Sequence, residues 1–168
     1  MCGIVGYVGR REAAPLIVEG LKKLEYRGYD SFGVATIGKT LEFDKHMGRI
    51  SENAGSVIRL KGKIGIGHTR WATHGIPNDA NAHPHMDCTG TIAVVHNGII
   101  ENYAELKRQL KARGHTFRSD TDTEVVVHMI EEEYGKKKDL LLAVQTVVPK
   151  LEGSYACLLY TSPSPRDS

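Results

Sequence analysis

The chain has 168 residues, the length of one ordinary domain, and its 40% hydrophobic and 25% charged residues are the balance of a protein with a buried core. The chain has 22 Lys and Arg residues against 20 Asp and Glu residues. Its basic residues are not concentrated in one stripe, so we expect no nucleic-acid partner. No apolar run approaches the roughly 20 residues of a membrane-spanning helix and no secretory signal is recognisable, so we expect no membrane partner.

The first two thirds of the chain carry patterns typical of strands and tight turns. In chain order, we predict a strand at 3–9, a helix at 12–24, a hairpin of 33–37 and 41–47, and strands at 64–69 and 91–96. Between the last two strands, the polar and proline-containing segment 70–89 predicts a long loop. Loops of that length without structure of their own are often functional.

After residue 100 the apolar residues recur with a helical period. Asn102 with Glu105, and Thr121 with Glu124, have the spacing of capping boxes, which predicts a helix start at each pair. The predicted elements are helices at 103–113, from 121 to about 134 and at 140–148, then a strand at 154–160. Strands, then helices, then strands indicate an α+β fold with packed sheets rather than an alternating parallel fold.

Residues 33–40 (GVATIGKT) match the phosphate-binding pattern G-x-x-x-x-G-K-[ST]. That motif needs a flexible loop that leads from a strand into a helix N-terminus. Here the four intervening residues favour an extended strand, and the following residues 41–45 alternate with period two. We therefore expect no nucleotide at this segment.

Cys2 is the sharpest chemical feature of the sequence. Removal of Met1 would give it a free α-amine, with a pKa of about 7.7–8.0, beside a thiol with a pKa of about 8.5. The amine could then accept the thiol proton, so that one residue acts as nucleophile and base. The alternative is that Cys2 is only a small apolar residue that begins a strand.

Three scattered cysteines without a signal peptide predict a reducing, cytoplasmic location.

Two short segments at strand ends could contact a substrate. Arg70 could hold a carboxylate by two parallel hydrogen bonds and Trp71 could shield it from water, although a surface salt bridge and core packing are alternatives. Asn97 and the Gly98 backbone N–H could stabilise an oxyanion, although Asn-Gly is also a common turn.

Asp122 could bind a substrate ammonium group, or simply complement the dipole of a helix that begins beside it. The pair His83 and His85 invites a metal interpretation. No H-E-x-x-H or C-x-x-C accompanies the pair, and neither Asp87 nor Cys88 completes a recognised ligand spacing. We therefore expect no metal site there.

Six segments taken in order resemble one family: MCGIVG at 1–6, LEYRGYDS at 24–31, GHTRWATHG at 67–75, NAHPH at 81–85, HNGIIEN at 96–102 and SDTDTE at 119–124. Together they resemble the class II glutamine amidotransferases, whose nucleophile is the N-terminal residue. Within this class, the sequences of residues 26–31 and 70–75 are similar to those of the branch that aminates fructose 6-phosphate. The amidophosphoribosyltransferase branch has different residues in these segments and stays an alternative.

The resemblance implies a four-layer αββα N-terminal-nucleophile hydrolase fold with two stacked antiparallel sheets, whose C-terminal part is missing here. It implies that Cys2 attacks the side-chain amide of L-glutamine, giving a thioester, ammonia and then glutamate, with no cofactor and no metal. The resemblance further implies that Asn97 and Gly98 form the oxyanion hole. Arg70, Thr73 and His74 would hold the glutamine carboxylate, and Asp122 would bind the α-ammonium group. Trp71 would belong to a loop that closes over the substrate.

By the same resemblance, residues 1–156 form an incomplete amidotransferase domain and the Ser/Pro-containing residues 157–168 are a doubtful, non-native tail. In the longer enzymes the ammonia reaches a C-terminal isomerase domain, which makes glucosamine 6-phosphate from fructose 6-phosphate. A homo-oligomer of that longer enzyme stays open. Two alternatives to an active glutaminase are a fragment that only binds glutamine or lacks function, and a metal-binding module.

Overall fold

A computed structural model of the chain describes residues 2–72 and 75–161, in which two antiparallel sheets lie at the centre. The strands of this part are β1 (Gly3–Val8), β2 (Ser31–Ile37), β3 (Leu41–Met47), β4 (Ile64–Arg70), β5 (His85–Met86), β6 (Ile92–Ile100) and β7 (Gly153–Thr161). The first sheet has the order β1-β4-β2-β3 and the second has the order β5-β6-β7.

Helices cover the outer face of each sheet. They are α1 (Ala13–Leu24), α2 (Ile50–Asn53), α3 (Tyr103–Ala112), α4 (Glu124–Lys137) and α5 (Leu140–Val147), with short 3₁₀ helices at Glu25–Arg27, Val57–Arg59 and Val148–Lys150. α1 packs on the first sheet, and α3, α4 and α5 contribute to the core on the second. Within the described residues, no helix is long and apolar enough to cross a membrane.

Alternation along the strands produces the layers. On β2, Val34 belongs to the core beneath α1, whereas its neighbour Ala35 belongs to the core between the sheets. On β6, Val94 faces α4 and α5, whereas Val95 faces the other sheet. Because successive side chains of a strand point to opposite faces, both faces of each sheet are apolar and each needs a covering layer. The predicted α+β class with two stacked antiparallel sheets in four layers is confirmed.

Glycines on β4 allow α1 to approach the first sheet closely. A Cβ atom at Gly67 would lie 2.4 Å from Ile17 Cγ2 and 2.9 Å from Leu21 Cδ1, and both of these side chains are fully buried. Gly65 and Gly67 therefore form a groove on β4 that receives the apolar side chains of α1.

Most predicted elements are found within a few residues of their predicted bounds. The segment that matches the phosphate-binding pattern is a hairpin, with Ile37 opposite Leu41, as predicted, and it does not lead into a helix N-terminus. Two predictions need correction. The predicted loop 70–89 contains β5, and β6 extends beyond its predicted end at 96 because its pairing with β7 continues from Ile92 to Ile100.

The two predicted capping boxes are wrong. Asn102 makes no capping hydrogen bond to α3; its amide instead donates to Lys150 O at 2.9 Å and accepts from Glu152 N at 3.1 Å, which joins the ends of β6 and β7. Thr121 lies before the first turn of α4, and the Glu124 carboxylate accepts from Ser119 N and Oγ at 2.8 and 2.6 Å. Asp139 does cap α5, through Leu142 N.

β7 runs through the predicted boundary between residues 156 and 157. Cys157 lies opposite His96 and Tyr160 lies opposite Ala93, in the same ladder as the residues before the boundary. The residues that follow Thr161 lie outside the described part of the chain, as does Met1.

The groove on β4 predicts opposite effects for two glycine substitutions. Gly67→Ala should lower the free energy of unfolding by about 1–3 kcal/mol, because the new methyl group overlaps two buried side chains of α1. Gly135→Ala should raise it by about 0.5–1 kcal/mol, because Gly135 lies within α4 with no heavy atom within 4 Å of an added Cβ. Urea unfolding of both variants checks this, and equal effects would contradict the packing described for β4.

Candidate active site

The thiol of Cys2 lies against the end of β4. Cys2 directly precedes β1, which pairs with β4 so that Gly3 is opposite Thr69. This register brings Sγ within 3.2 Å of the Trp71 backbone N–H, which donates to it, and within 3.5 Å of Trp71 O. The half-buried thiol is therefore oriented by backbone groups and remains reachable from a pocket.

Asn97 lies beside Cys2 in the middle of β6. Its Nδ2 donates to Cys2 O at 3.1 Å, and its Oδ1 faces His68 Nε2 at 2.9 Å. Asn97 and Gly98 pair with Ala156 and Tyr155 of β7, so the alternative that this pair is a turn is wrong. At Gly98 φ is +125°, and an added Cβ would lie 2.0 Å from a β7 carbonyl oxygen, so this backbone position requires glycine.

His68 orients the Asn97 side chain. Its Nε2 has two acceptors, Asn97 Oδ1 at 2.9 Å and His96 O at 3.1 Å, and therefore carries the ring proton. Complete burial lowers the pKa of His68 to about 3, so the ring is neutral at physiological pH. The neutral ring fixes which end of the Asn97 amide faces Cys2. The sequence analysis gave His68 no such role; the only signal was its place in a motif on an apolar strand.

The same pocket contains a buried cation and a buried anion. Arg70 is 4% exposed, and its guanidinium donates to Gly75 O at 3.2 Å. Burial lowers the pKa of Arg70, an effect that the negative charges of Asp30 and Asp122 oppose. Asp122 is 5% exposed and accepts from Ile100 N at 2.8 Å. The alternative that Arg70 forms a surface salt bridge is therefore wrong, and the presence of both signs of charge in one pocket suits a zwitterionic ligand.

Trp71 lies at the rim of this pocket. It is 44% exposed and meets Tyr29 edge to face with 5.5 Å between ring centroids, so the core-packing alternative is wrong. The next residue, Ala72, donates its N–H to Asp30 Oδ2 at 2.8 Å, which holds the start of the loop. Thr73 and His74, both predicted to bind the substrate, lie outside the described residues.

The pocket thus brings together most of the predicted site. Its lining comprises Cys2, His68, Arg70, Trp71, His83, His96, Gly98, Thr121, Asp122 and Thr123. Asn97 and Cys2 also line an adjoining cleft on the side of β7. The histidines and threonines of the lining were not predicted as site residues.

Buried histidines organise the segment around Asp122. His85 Nε2 lies 3.0 Å from Thr121 Oγ1, and His96 Nδ1 lies 2.8 Å from Thr123 Oγ1. His83 stacks on His68 with 4.1 Å between ring centroids and also contacts the Thr123 hydroxyl. Burial lowers the pKa of His83, His85 and His96, so neutral rings hold the two threonines that flank Asp122. The His83 and His85 pair therefore has a hydrogen-bonding role.

Comparison with known proteins agrees with this geometry. Residues 45–165 match the family model described as a glutamine amidotransferase domain. Among curated proteins, the glutamine–fructose-6-phosphate aminotransferase (isomerizing) of Pyrococcus horikoshii is 57% identical over 98% of this chain, and that of Thermococcus kodakarensis is 55% identical. The chain spans 28% of the length of each of these two relatives.

Among solved structures, the chain is similar to the glutamine phosphoribosylpyrophosphate amidotransferase from B. subtilis complexed with ADP and GMP. The TM-score is 0.81 with 32% sequence identity, and the match covers 96% of this chain and 35% of that one.

The buried His68 predicts a loss of stability in acid. The unfolded chain binds a proton at this residue below pH of about 6.5, whereas the folded chain does not until the pH approaches the folded pKa of about 3. Between these values, each unit of falling pH should cost about 1.4 kcal/mol for this histidine. Urea unfolding across this range should therefore show a shallower pH dependence for His68→Gln, which keeps an N–H donor but cannot titrate.

Thr36→Val is the matched control for this measurement. It removes a buried hydrogen bond to Lys61 O, at 2.9 Å, without changing an ionisable group. It should lower stability equally at every pH. An unchanged pH dependence in His68→Gln would show that His68 has the same pKa in the folded and the unfolded chain.

Proposed function

The chain belongs to the glutamine amidotransferase domain family, and we propose that its pocket hydrolyses the side-chain amide of L-glutamine with Cys2 as the nucleophile. One observation carries the proposal. The Cys2 thiol opens onto a pocket that also contains the Arg70 guanidinium and the Asp122 carboxylate. Glutamine has an α-carboxylate and an α-ammonium group at one end and an uncharged amide at the other, so these charges can hold the amino-acid end while the amide reaches Sγ.

The first step is proton removal from the thiol. We propose that Met1 is removed, so that the α-amine of Cys2 accepts the Sγ proton directly or through one water. An α-amine with a pKa of about 7.7–8.0 is partly unprotonated at neutral pH, which suits it to this task. The Trp71 N–H that donates to Sγ at 3.2 Å supports the thiolate and aligns it toward the pocket.

Attack of Sγ on the amide carbon forms a C–S bond and places negative charge on the amide oxygen. An asparagine amide has two N–H donors, and Asn97 uses one of them on Cys2 O. We assign the other donor, together with the Gly98 backbone N–H, to this oxyanion. The C–N bond then breaks, the protonated Cys2 amine gives its proton to the leaving nitrogen, and ammonia departs from a thioester.

Hydrolysis of the thioester completes the cycle. The Cys2 amine takes a proton from water, and the hydroxide attacks the thioester carbon. The C–S bond then breaks to release glutamate, and the protonated amine returns its proton to the departing sulfur, which restores the thiol. Arg70, Thr73 and His74 hold the glutamine carboxylate, Asp122 holds the ammonium group, and Trp71 covers the bound substrate from the rim. No cofactor or metal is required by these steps.

For the longer protein, we propose fructose 6-phosphate as the ammonia acceptor, bound by a domain outside these 168 residues. Relatives at 57% and 55% identity carry that substrate in their names, whereas the phosphoribosylpyrophosphate enzyme is 32% identical. This difference favours the sugar-phosphate branch over the amidophosphoribosyltransferase alternative. Free cysteines at positions 2, 88 and 157 support a reducing, cytoplasmic location.

Cys2→Ala should reduce glutamine hydrolysis at least about a thousandfold, because the variant has no nucleophile. Ammonia and glutamate release from purified chain measures this.

A diazo-ketone analogue of glutamine should label Cys2 in the wild type, and the intact mass should show that the labelled chain lacks Met1. Cys157→Ser is the control and should be labelled like the wild type, because burial raises the pKa of Cys157 to about 11 and keeps that thiol protonated. Labelling at Cys88 or Cys157, or activity with Met1 retained, would contradict the mechanism.

Asp122→Asn should raise the KM for glutamine about 10- to 100-fold with a smaller change in kcat, because it removes the charge opposite the α-ammonium group but keeps an acceptor for Ile100 N. Steady-state glutaminase assays separate the two constants. Asp120→Asn, an exposed carboxylate two residues away, should leave both unchanged. Equal effects of the two substitutions would argue against an ammonium site at Asp122.

A further inference from the structure

Four metal-ligating side chains converge away from the pocket. Cys88 follows β5, His115 lies between α3 and α4, and His128 and Glu131 lie one turn apart on α4. One ligand atom from each lies within 4.8 Å of all the others. None of the four lines the pocket at Cys2, so this cluster is separate from the proposed glutaminase site.

We infer that Cys88, His115, His128 and Glu131 bind one Zn²⁺ ion. Cys88 Sγ lies 3.5 Å from His115 Nδ1 and 3.6 Å from His128 Nδ1. Glu131 Oε2 lies 3.1 Å from each of these nitrogens. Zinc bonds of about 2.3 Å to sulfur and 2.0–2.1 Å to nitrogen at tetrahedral angles separate the sulfur and nitrogen ligands by about 3.5 Å and two lighter ligands by about 3.3 Å. The side chains are already spaced for a four-coordinate ion.

The outer nitrogens of both histidines face further carboxylates. His115 Nε2 lies 3.1 Å from Glu132 Oε1, and His128 Nε2 lies 3.6 Å from Glu124 Oε1. A carboxylate behind the outer nitrogen places the ring proton there and leaves the Nδ1 lone pair pointing at the ion, which is the usual second shell of a zinc histidine. His115 has this arrangement through a hydrogen bond, whereas His128 Nε2 lies within ion-pair range of Glu124 but makes no hydrogen bond to it.

The donor set selects the metal. One thiolate, two imidazoles and one carboxylate are ligands that suit zinc, whereas magnesium and calcium prefer oxygen ligands only. Cys88 is exposed and gives the ion a route from solvent, while His128 is buried and anchors the site in the core beside α4. Four protein ligands leave no open position, so the ion would be structural.

A bound ion would connect three segments that the backbone leaves apart. It would tie the turn after β5 and the link between α3 and α4 to the first half of α4. That link runs directly into residues 119–123, which carry Asp122 and its flanking threonines. The spacing of the ligands along the chain, 88, 115, 128 and 131, matches no sequence motif, because only folding brings them together.

Cobalt substitution tests the site through a signal that hydrogen bonding alone cannot give. Purified chain is stripped with a chelator and titrated with Co²⁺, which should produce a thiolate-to-cobalt absorption band that saturates at one ion per chain and that one equivalent of Zn²⁺ removes. Cys88→Ser should abolish the band. Cys157→Ser and Cys2→Ala should keep it, because neither thiol belongs to the cluster.

The carboxylates give a second set of variants. Glu131→Gln should weaken Zn²⁺ binding at least about tenfold, and Glu132→Gln about 10- to 100-fold through its histidine, with Glu133→Gln as the neighbouring control that leaves affinity unchanged. Circular dichroism of each variant confirms that it is folded. Three outcomes would overturn the proposal: folded wild-type chain gives no band, the band survives Cys88→Ser, or the band is lost in Cys2→Ala. Absence of the band in the wild type would identify the cluster as a hydrogen-bonded network alone.

Discussion

His68 lies between the two sheets, and its imidazole helps to position Cys2, the proposed nucleophile, through Asn97. The ring reaches from β4 to two acceptors on β6, the Asn97 carboxamide and the His96 carbonyl, at 2.9 and 3.1 Å. Because the buried ring carries its one proton on Nε2, the Asn97 amide can adopt only one orientation, with its nitrogen toward Cys2 O. The same contact therefore joins the sheets, sets the register of the site across them and aims a hydrogen-bond donor at the residue that bears the thiol.

Neutral histidines also determine the electrostatics of the pocket. Burial keeps the rings that surround Asp122 and Arg70 uncharged, so within the described residues the buried charges that line the pocket are the Asp122 carboxylate and the Arg70 guanidinium. Each of these charges interacts more strongly there than it would in water. Protonated rings would repel an ammonium group near Asp122. Burial of imidazoles is thus as much a part of this site as the charged side chains.

Much of the fold and part of the site could be predicted from local pattern. Alternation and apolar spacing identified the hairpin and most strands, and the order of motifs identified Cys2, Asn97 and Asp122 as candidates for one site. The end of β6 could not be predicted, because Asn97 and Gly98 have the composition of a turn and are held extended only by their pairing with β7. The capping boxes failed for different reasons: Asn102 bonds to Lys150 and Glu152, which are distant in sequence, whereas Glu124 bonds to Ser119, just before the predicted box.

By itself, the sequence determined the alternation that gives each sheet two apolar faces, the glycines that admit α1, and the identity of the groups able to do chemistry. Only the tertiary structure decided which of those groups meet. Residues as far apart as Cys2 and Asn97, or Cys88 and His128, come within hydrogen-bond or ligand distance through strand pairing and layer packing. Local spacing carries no record of such contacts, because they arise from the burial of apolar surface between elements distant in the chain.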